Sequence, residues 1–196
     1  MNFLEFLYYL PAILIGITFH EYAHALAAYK LGDNTAKLEG RLTLNPLKHI
    51  DIIGFIVLIL FHFGWAKPVP INIYNLKNFR RDIVIIAFAG PFSNLIIAFI
   101  CFSLLRLSLN NEVLNFLFSS TLSINIFLFA FNLIPLPPLD GWRIISSLFP
   151  NLTFNRTAET YGFIILLTII FFFKSSLISY LKFVFNLILS TFSLII

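Results

Sequence analysis

An all-α polytopic membrane protein is the fold class this sequence predicts, and three observations predict it. The chain is 59% hydrophobic and only 11% charged, with a mean hydropathy of +0.92, too apolar to cover itself with a water-compatible surface. Several apolar runs reach the ~18 residues or more that a bilayer-spanning helix requires. The 13 Lys and Arg residues sit mostly in the connecting segments, as cytoplasmic loops of a membrane protein require. The net charge of +4 therefore needs no nucleic-acid partner. A single cysteine, Cys101, lies within an apolar run, which excludes an intrachain disulfide.

Taken in order, residues 3–29 read as a first helix, with no small-residue cleavage site behind it, so the segment is expected to be retained rather than removed as a signal peptide. The linker over 30–51 is polar, and Gly32, Gly40 and Asn45-Pro46 mark turns. The run over 52–65 is apolar but has only 14 residues and is flanked by Lys48 and Lys67, which predicts a short re-entrant segment that enters and leaves on one side. In "WAKPVPINIYN", Val69, Ile71 and Ile73 alternate with Pro70, Asn72 and Tyr74. That period predicts a small β-hairpin or edge strand, the prolines confining it to an edge. Residues 83–105 form a long apolar helix that Gly90-Pro91 should kink, and 113–134 form another that Pro135, Pro137 and Pro138 must end. Apolar segments over 161–173 and 177–196 flank Lys174. The expectation is one membrane-embedded domain over 1–196 with about five transmembrane helices, no repeat and no soluble domain with its own core.

Charge sets the orientation. If the loops carrying Lys30, Lys37, Arg41 and Lys48, then Lys67, Lys77, Arg80 and Arg81, and then Asp140, Arg143 and Arg156 are cytoplasmic, one assignment satisfies every basic loop and leaves the N-terminus outside. The expected location is the inner membrane, crossed several times.

Inside the first helix stands "GITFHEYAHALAAYKLG". His20 and His24 are four residues apart and project from one helix face, with Glu21 about 100° around from His20. Two imidazoles at that spacing can grip one zinc ion while the glutamate reaches water at the ion's open position. His20 lies ten residues before Lys30, roughly 15 Å down the helix. Ionisable groups at that depth are costly and by default functional, although a polar interhelical cluster or an ion path would also use them. A catalytic zinc held by two histidines needs a third protein ligand. Asp140 is the natural candidate, beside Gly141 at a proline-broken helix end where irregular backbone lines a cavity. It would equally serve to cap a helix starting at Gly141. His49 reads as a solvated loop residue and His62 as a partner in an interhelical hydrogen bond.

"HEYAH", "AGPFSN" (89–94) and "FNLIPLPPLDG" (131–141), in that order, resemble the site-2 protease family of intramembrane zinc metalloproteases. "GRLTLNPLKHID" and "GWAKPVPIN" are similar to its compact bacterial branch, so that the resemblance covers a core over 10–147, with additional C-terminal helices over 159–196. The resemblance implies one zinc per chain on His20, His24 and Asp140, Glu21 as general base, and cleavage of transmembrane protein or peptide substrates in the lipid bilayer, with the active site toward the cytoplasmic side. It places Asn132 near the active site and Asn94 in the Gly-Pro motif, both taken as substrate-binding. PDZ and CBS domains, which many relatives carry, are not expected here. A substrate helix has to be unwound before its peptide bond can be attacked, and the edge around Val69 and Ile71 is expected to hold the extended chain by main-chain hydrogen bonds. Two other readings compete. A prenyl-protein type of membrane zincin would take a glutamate as third ligand, Glu112 or Glu159, and a non-catalytic transporter or scaffold would not need Glu21.

Overall fold

The computed structural model describes residues 3–61, 64–107, 110–149 and 156–195. Among these the chain forms eight α-helices: α1 (Phe3–Lys30), α2 (Thr35–Leu38), α3 (Ile52–Phe61), α4 (Phe79–Arg106), α5 (Glu112–Asn132), α6 (Asp140–Leu148), α7 (Arg156–Phe172) and α8 (Lys174–Ile195). Of the described helices, α4, α5 and α8 are long and apolar enough to cross a membrane, and 161–172 is a shorter apolar stretch. With its 28 residues, α1 runs about 42 Å. His62 lies outside the described residues.

Helices α1, α4 and α5 pack on one another, α6 lies against α4, and α8 closes the far side of α5. Small residues permit the contact. Ala12, Ala25 and Ala28 of α1 are wholly buried, and a methyl at Gly16 would press on Leu128 and Asn125 of α5. Between helices in lipid, where apolar surface brings no net attraction, such close approach is what association depends on. Ala98, Cys101, Leu122, Ile126, Ile188 and Phe192 form the apolar core shared by α4, α5 and α8. On the outer face of α4, Ile85, Phe88, Phe92, Ile96 and Ile100 are exposed at helical spacing, a stripe suited to lipid. Pro91 does not break that helix, which continues from Phe79 to Arg106.

Two glycines turn the chain beside the end of α1. Gly32 has φ +109°, Gly32 N donates to Tyr29 O, and Asp33 N donates to Ala28 O, the bond pair of a Schellman motif. Gly40, at φ +67°, repeats it after α2, with Gly40 N on Lys37 O and Arg41 N on Ala36 O. Each motif delivers a charged residue, Asp33 or Arg41, to the next segment of chain.

That segment corrects one expectation. Residues 67–72 form no strand, and the β pairing present among the described residues is an isolated antiparallel bridge between Ile50 and Ala66. Pro68 and Pro70 have no N–H to give. Lys67 N donates to the His49 carbonyl at 2.9 Å, while two further donors go to side chains, Val69 N to Glu21 Oε2 at 3.0 Å and Asn72 N to Asp33 Oδ2 at 2.7 Å. Arg41 meanwhile donates to the Lys67 and Pro68 carbonyls at 2.6 and 3.3 Å. The chain is extended but tethered through side chains, and from Ile73 to Asn75 it turns as a 3₁₀ helix. His49 also departs from the sequence reading. It is wholly buried, donating from Nε2 to Thr43 O at 2.8 Å.

Candidate metal centre

His20 and His24 project from one face of α1, one turn apart, toward α4 and the start of α6. Gly90 makes room for them, since a methyl group there would overlap Nε2 and Cε1 of His24 and Cε1 of His20. Between Asn132 and Asp140 the chain reverses, with Leu139 N on Leu136 O, and α6 begins at Asp140. Gly141 lets the start of α6 lie against the Leu133 and Ile134 carbonyls, where a Cβ would collide. Asp140 makes no helix-capping bond. Its carboxylate points at the two imidazoles.

The three donor atoms form a small triangle. His20 Nε2 and His24 Nε2 are 3.0 Å apart, and Asp140 Oδ2 is 3.1 Å from the first and 3.2 Å from the second. Four ligands placed tetrahedrally about zinc at bond lengths of ~2.0–2.1 Å would lie about 3.3 Å from one another. All three residues are buried and their ligand atoms converge.

Hydrogen bonds on the far side of each ring decide where the protons are. His24 Nδ1 lies 2.7 Å from Ile86 O, and a carbonyl can only accept. His20 Nδ1 lies 2.7 Å from Asn94 Oδ1, while Asn94 Nδ2 donates to Gly16 O at 3.0 Å and to Asn125 Oδ1 at 2.8 Å. Asn125 Nδ2 continues the chain to Thr121 O at 2.8 Å. Both Nδ1 atoms therefore carry hydrogen, and in the neutral rings both Nε2 atoms present lone pairs to each other and to Asp140. Asp140 Oδ2 is buried and accepts no hydrogen bond. One proton would serve one pair of these atoms, whereas a divalent cation serves all three, so the donor set fits a metal.

Glu21 is buried beside this triangle and is held by Val69 N. A cavity of about 100 Å³ opens onto the group, bordered by His20, Glu21, His24 and Asp140 together with Val69, Ile71, Asn132 and Arg143. Seven of the eight expected site residues, His20, Glu21, His24, Asn132, Asp140, Val69 and Ile71, thus border one cavity, and Asn94 stands apart. It is wholly buried and touches the ring of His20 rather than the cavity. Of the alternative carboxylates, Glu112 stands in the first turn of α5, at the opposite end of that helix from Asn132, and the side chain of Glu159 lies outside the described residues. Sequence reasoning missed Asn125 and the Ile86 carbonyl, which no motif announces, and took Gly90 of the Gly-Pro motif for a kink rather than for the room it leaves the two rings. Arg143 was visible, three residues after Asp140 and hence on the same face of α6.

Comparisons with known proteins agree with this chemistry. The sequence model of peptidase family M50 matches residues 106–177. The chain is 46% identical over 173 residues to a Bacillus subtilis protein named "Putative zinc metalloprotease YwhC", an alignment spanning 83% of this chain and 79% of that one. It is 32% identical over 144 residues to "Putative zinc metalloprotease MJ0611" of Methanocaldococcus jannaschii, spanning 74% of this chain and 72% of the relative. A third relative, "Putative zinc metalloprotease Rip2" of Mycolicibacterium smegmatis, is 29% identical over 172 residues, with 80% and 64% covered. No solved structure matches.

Proposed function

The chain belongs to peptidase family M50, and from that premise we propose that it is an intramembrane zinc metalloprotease in which His20, His24 and Asp140 hold the ion and Glu21 is the general base. The observation that carries this reading is the convergence of two imidazole lone pairs and an unsatisfied carboxylate oxygen within 3.2 Å of one another, with a buried glutamate alongside. Zinc, when bound, polarises a carbonyl and acidifies water. The chain's own residues do the rest. Glu21 Oε2 is fixed by Val69 N, and the carboxylate takes the proton of the attacking water and passes it to the leaving amide nitrogen. Asn132 spends one amide hydrogen on Leu128 O at 2.9 Å and keeps another for the developing oxyanion.

Substrate is a transmembrane protein whose helix is locally unwound. Val69 N is committed to Glu21 and Asn72 N to Asp33, so the Ile71 backbone is the portion of this extended segment left to pair with a substrate strand. Asn94 acts as a positioning residue, holding His20 in the ligating tautomer. The metal-bearing end of α1 faces the cytoplasm, because the segments between it and α4 carry Lys30, Lys37, Lys48, Arg80 and Arg81. Helix α3, with 10 residues, is too short at about 15 Å to span a bilayer. Its flanks meet at the Ile50–Ala66 bridge and through Lys67 N on His49 O, which supports a re-entrant excursion. Helices α1, α4, α5, α7 and α8 make up the spans.

The test compares three proteins in membranes. Glu21→Gln should retain about one zinc per chain and cut nothing, and a variant with His20, His24 and Asp140 all changed to Ala should lose the metal. Cleavage near wild-type rate by Glu21→Gln, or zinc retained by the triple variant, would reject the assignment.

A further inference from the structure

The metal cavity does not end at the ligands. Val69, Ile71 and Arg143 border it and also border a second cavity of about 150 Å³, so the two are contiguous. The second cavity is walled by Ile83, Ile86 and Ala87 of α4 and by Val69, Ile71 and Ile73 of the extended segment. Its chemistry differs from its neighbour's, because apart from the shared Arg143 aliphatic carbon replaces imidazole and carboxylate. Ile83 and Ile86 belong to a buried cluster with Ala28 and Leu76, which keeps that wall in place. Ile73 on the opposite wall is 37% exposed and can yield to an entering group. The wall is also joined to the metal centre, since the Ile86 carbonyl accepts from His24 Nδ1.

Resting on the protease reading above, we propose that this second cavity is the subsite for one aliphatic side chain of the substrate, next to the bond that is cut. Its volume matches a group about the size of benzene, which fills an apolar cavity of ~150 Å³. A substrate strand laid along Ile71 projects successive side chains to opposite faces, so one enters this cavity while its carbonyl reaches the metal cavity. The Ile83, Ile86, Ala87 and Val69 side of the cavity offers an entering side chain only carbon, and burying an unpaired hydroxyl against it is unfavourable. Valine and leucine fill the aliphatic side, alanine underfills it, and serine leaves its hydroxyl against carbon.

Two measurements test this together. The first reconstitutes the zinc-loaded protein in phosphatidylethanolamine–phosphatidylglycerol vesicles with lysine-flanked apolar peptides, their central residues varied among Ala, Val, Leu, Ser, Phe and Asp, and identifies the products by mass. The second compares, by thermal shift, binding of a peptidyl hydroxamate bearing an isobutyl group with its methyl analogue, which reads the cavity without any cleavage. Expected is a preference of roughly 10-fold for Leu over Ala, and for isobutyl over methyl. Ala87→Leu, which fills the cavity, should abolish both preferences at unchanged zinc content. Ile73→Ala, on the exposed rim, should extend acceptance to Phe and guards against misfolding of the first variant. Cleavage that depends on Glu21 but is indifferent to the flanking side chain, favours Asp, or keeps its preference in both variants would overturn the subsite and leave the protease reading intact. Hydroxamate discrimination without any Glu21-dependent cleavage would keep the subsite and sink the protease reading. Equal or absent binding of the two hydroxamates, with no cleavage, rejects both.

Discussion

A methyl group at Gly90 would overlap both metal-binding imidazoles, so Gly90→Ala should expel one ring from the ligating position. The expected outcome is zinc content well below one per chain with helical content retained, read by metal analysis and circular dichroism on the same sample. Asn94 acts from the other side. Its Oδ1 accepts from His20 Nδ1 and its amide is tied to Gly16 and Asn125, which sets the ring's tautomer and its angle. Asn94→Ala should lower zinc affinity by about 10–100-fold, the range for losing a hydrogen-bond partner of a ligand, and competition with a chromogenic chelator measures it. If Asn94 instead touched substrate, the same variant would raise KM at unchanged zinc affinity.

The segment over 67–75 is positioned by side chains rather than by a sheet. Asp33 is its main anchor. Wholly buried, it accepts from Thr35 N at 3.0 Å, Asn72 N at 2.7 Å and Asn75 Nδ2 at 2.9 Å, and from the Thr35 hydroxyl. Burial alone would raise its pKa, but the donors from Thr35, Asn75 and Asn72 outweigh it and hold the carboxyl below its ordinary value of 3.8. A depressed carboxylate pKa stabilises the fold above the unfolded-state value and loses that contribution as pH falls through the folded value. Hydrogen exchange of 67–75 should therefore show constant protection from pH 8 to pH 5, with loss of protection beginning only below about 3.8. Asp33→Asn turns one acceptor into a donor facing donors. The expected cost is about 1–3 kcal/mol, with faster exchange in 67–75 and slower cleavage at unchanged zinc content. Unaltered exchange would show that Arg41 and Glu21 suffice to hold the segment.

At the scale of the molecule, a bundle with an apolar outer face surrounds a polar centre, and metal should contribute to its stability. Removing zinc with a chelator should lower the melting temperature in detergent, because a ligand present at 100 times its Kd stabilises the folded state by about 2.7 kcal/mol. Glu21→Gln, which keeps the three ligands, should show the same drop, and the triple ligand variant should show none. Orientation is tested by labelling. In a Cys101→Ser background, Lys37→Cys should react with an impermeant maleimide from the cytoplasmic side and Asn110→Cys from the opposite side. The reverse pattern would invert the assignment of the cytoplasmic loops.

Local features of this chain were legible from its sequence. The first helix was read as 3–29 and is Phe3–Lys30, because a long apolar run with a glycine at its end specifies a helix and its stop without help from elsewhere. His20, Glu21 and His24 could be singled out for a like reason, since an interval of four residues fixes which side chains share a helix face. The proline-broken end before Asp140 marked the third group. Alternation over 69–74 misled, because it reports which side chains alternate and not which atoms take the backbone's hydrogen bonds. Here Glu21 and Asp33 take them, 48 and 39 residues away. Asn94 meets His20 across 74 residues, Gly90 lies under two rings, and the aliphatic walls of the second cavity come from α4 and a loop, with Arg143 of α6 at its border. Only the packing of α1 against α4 brings these together, and pairings over such separations have no period along the chain from which to be read.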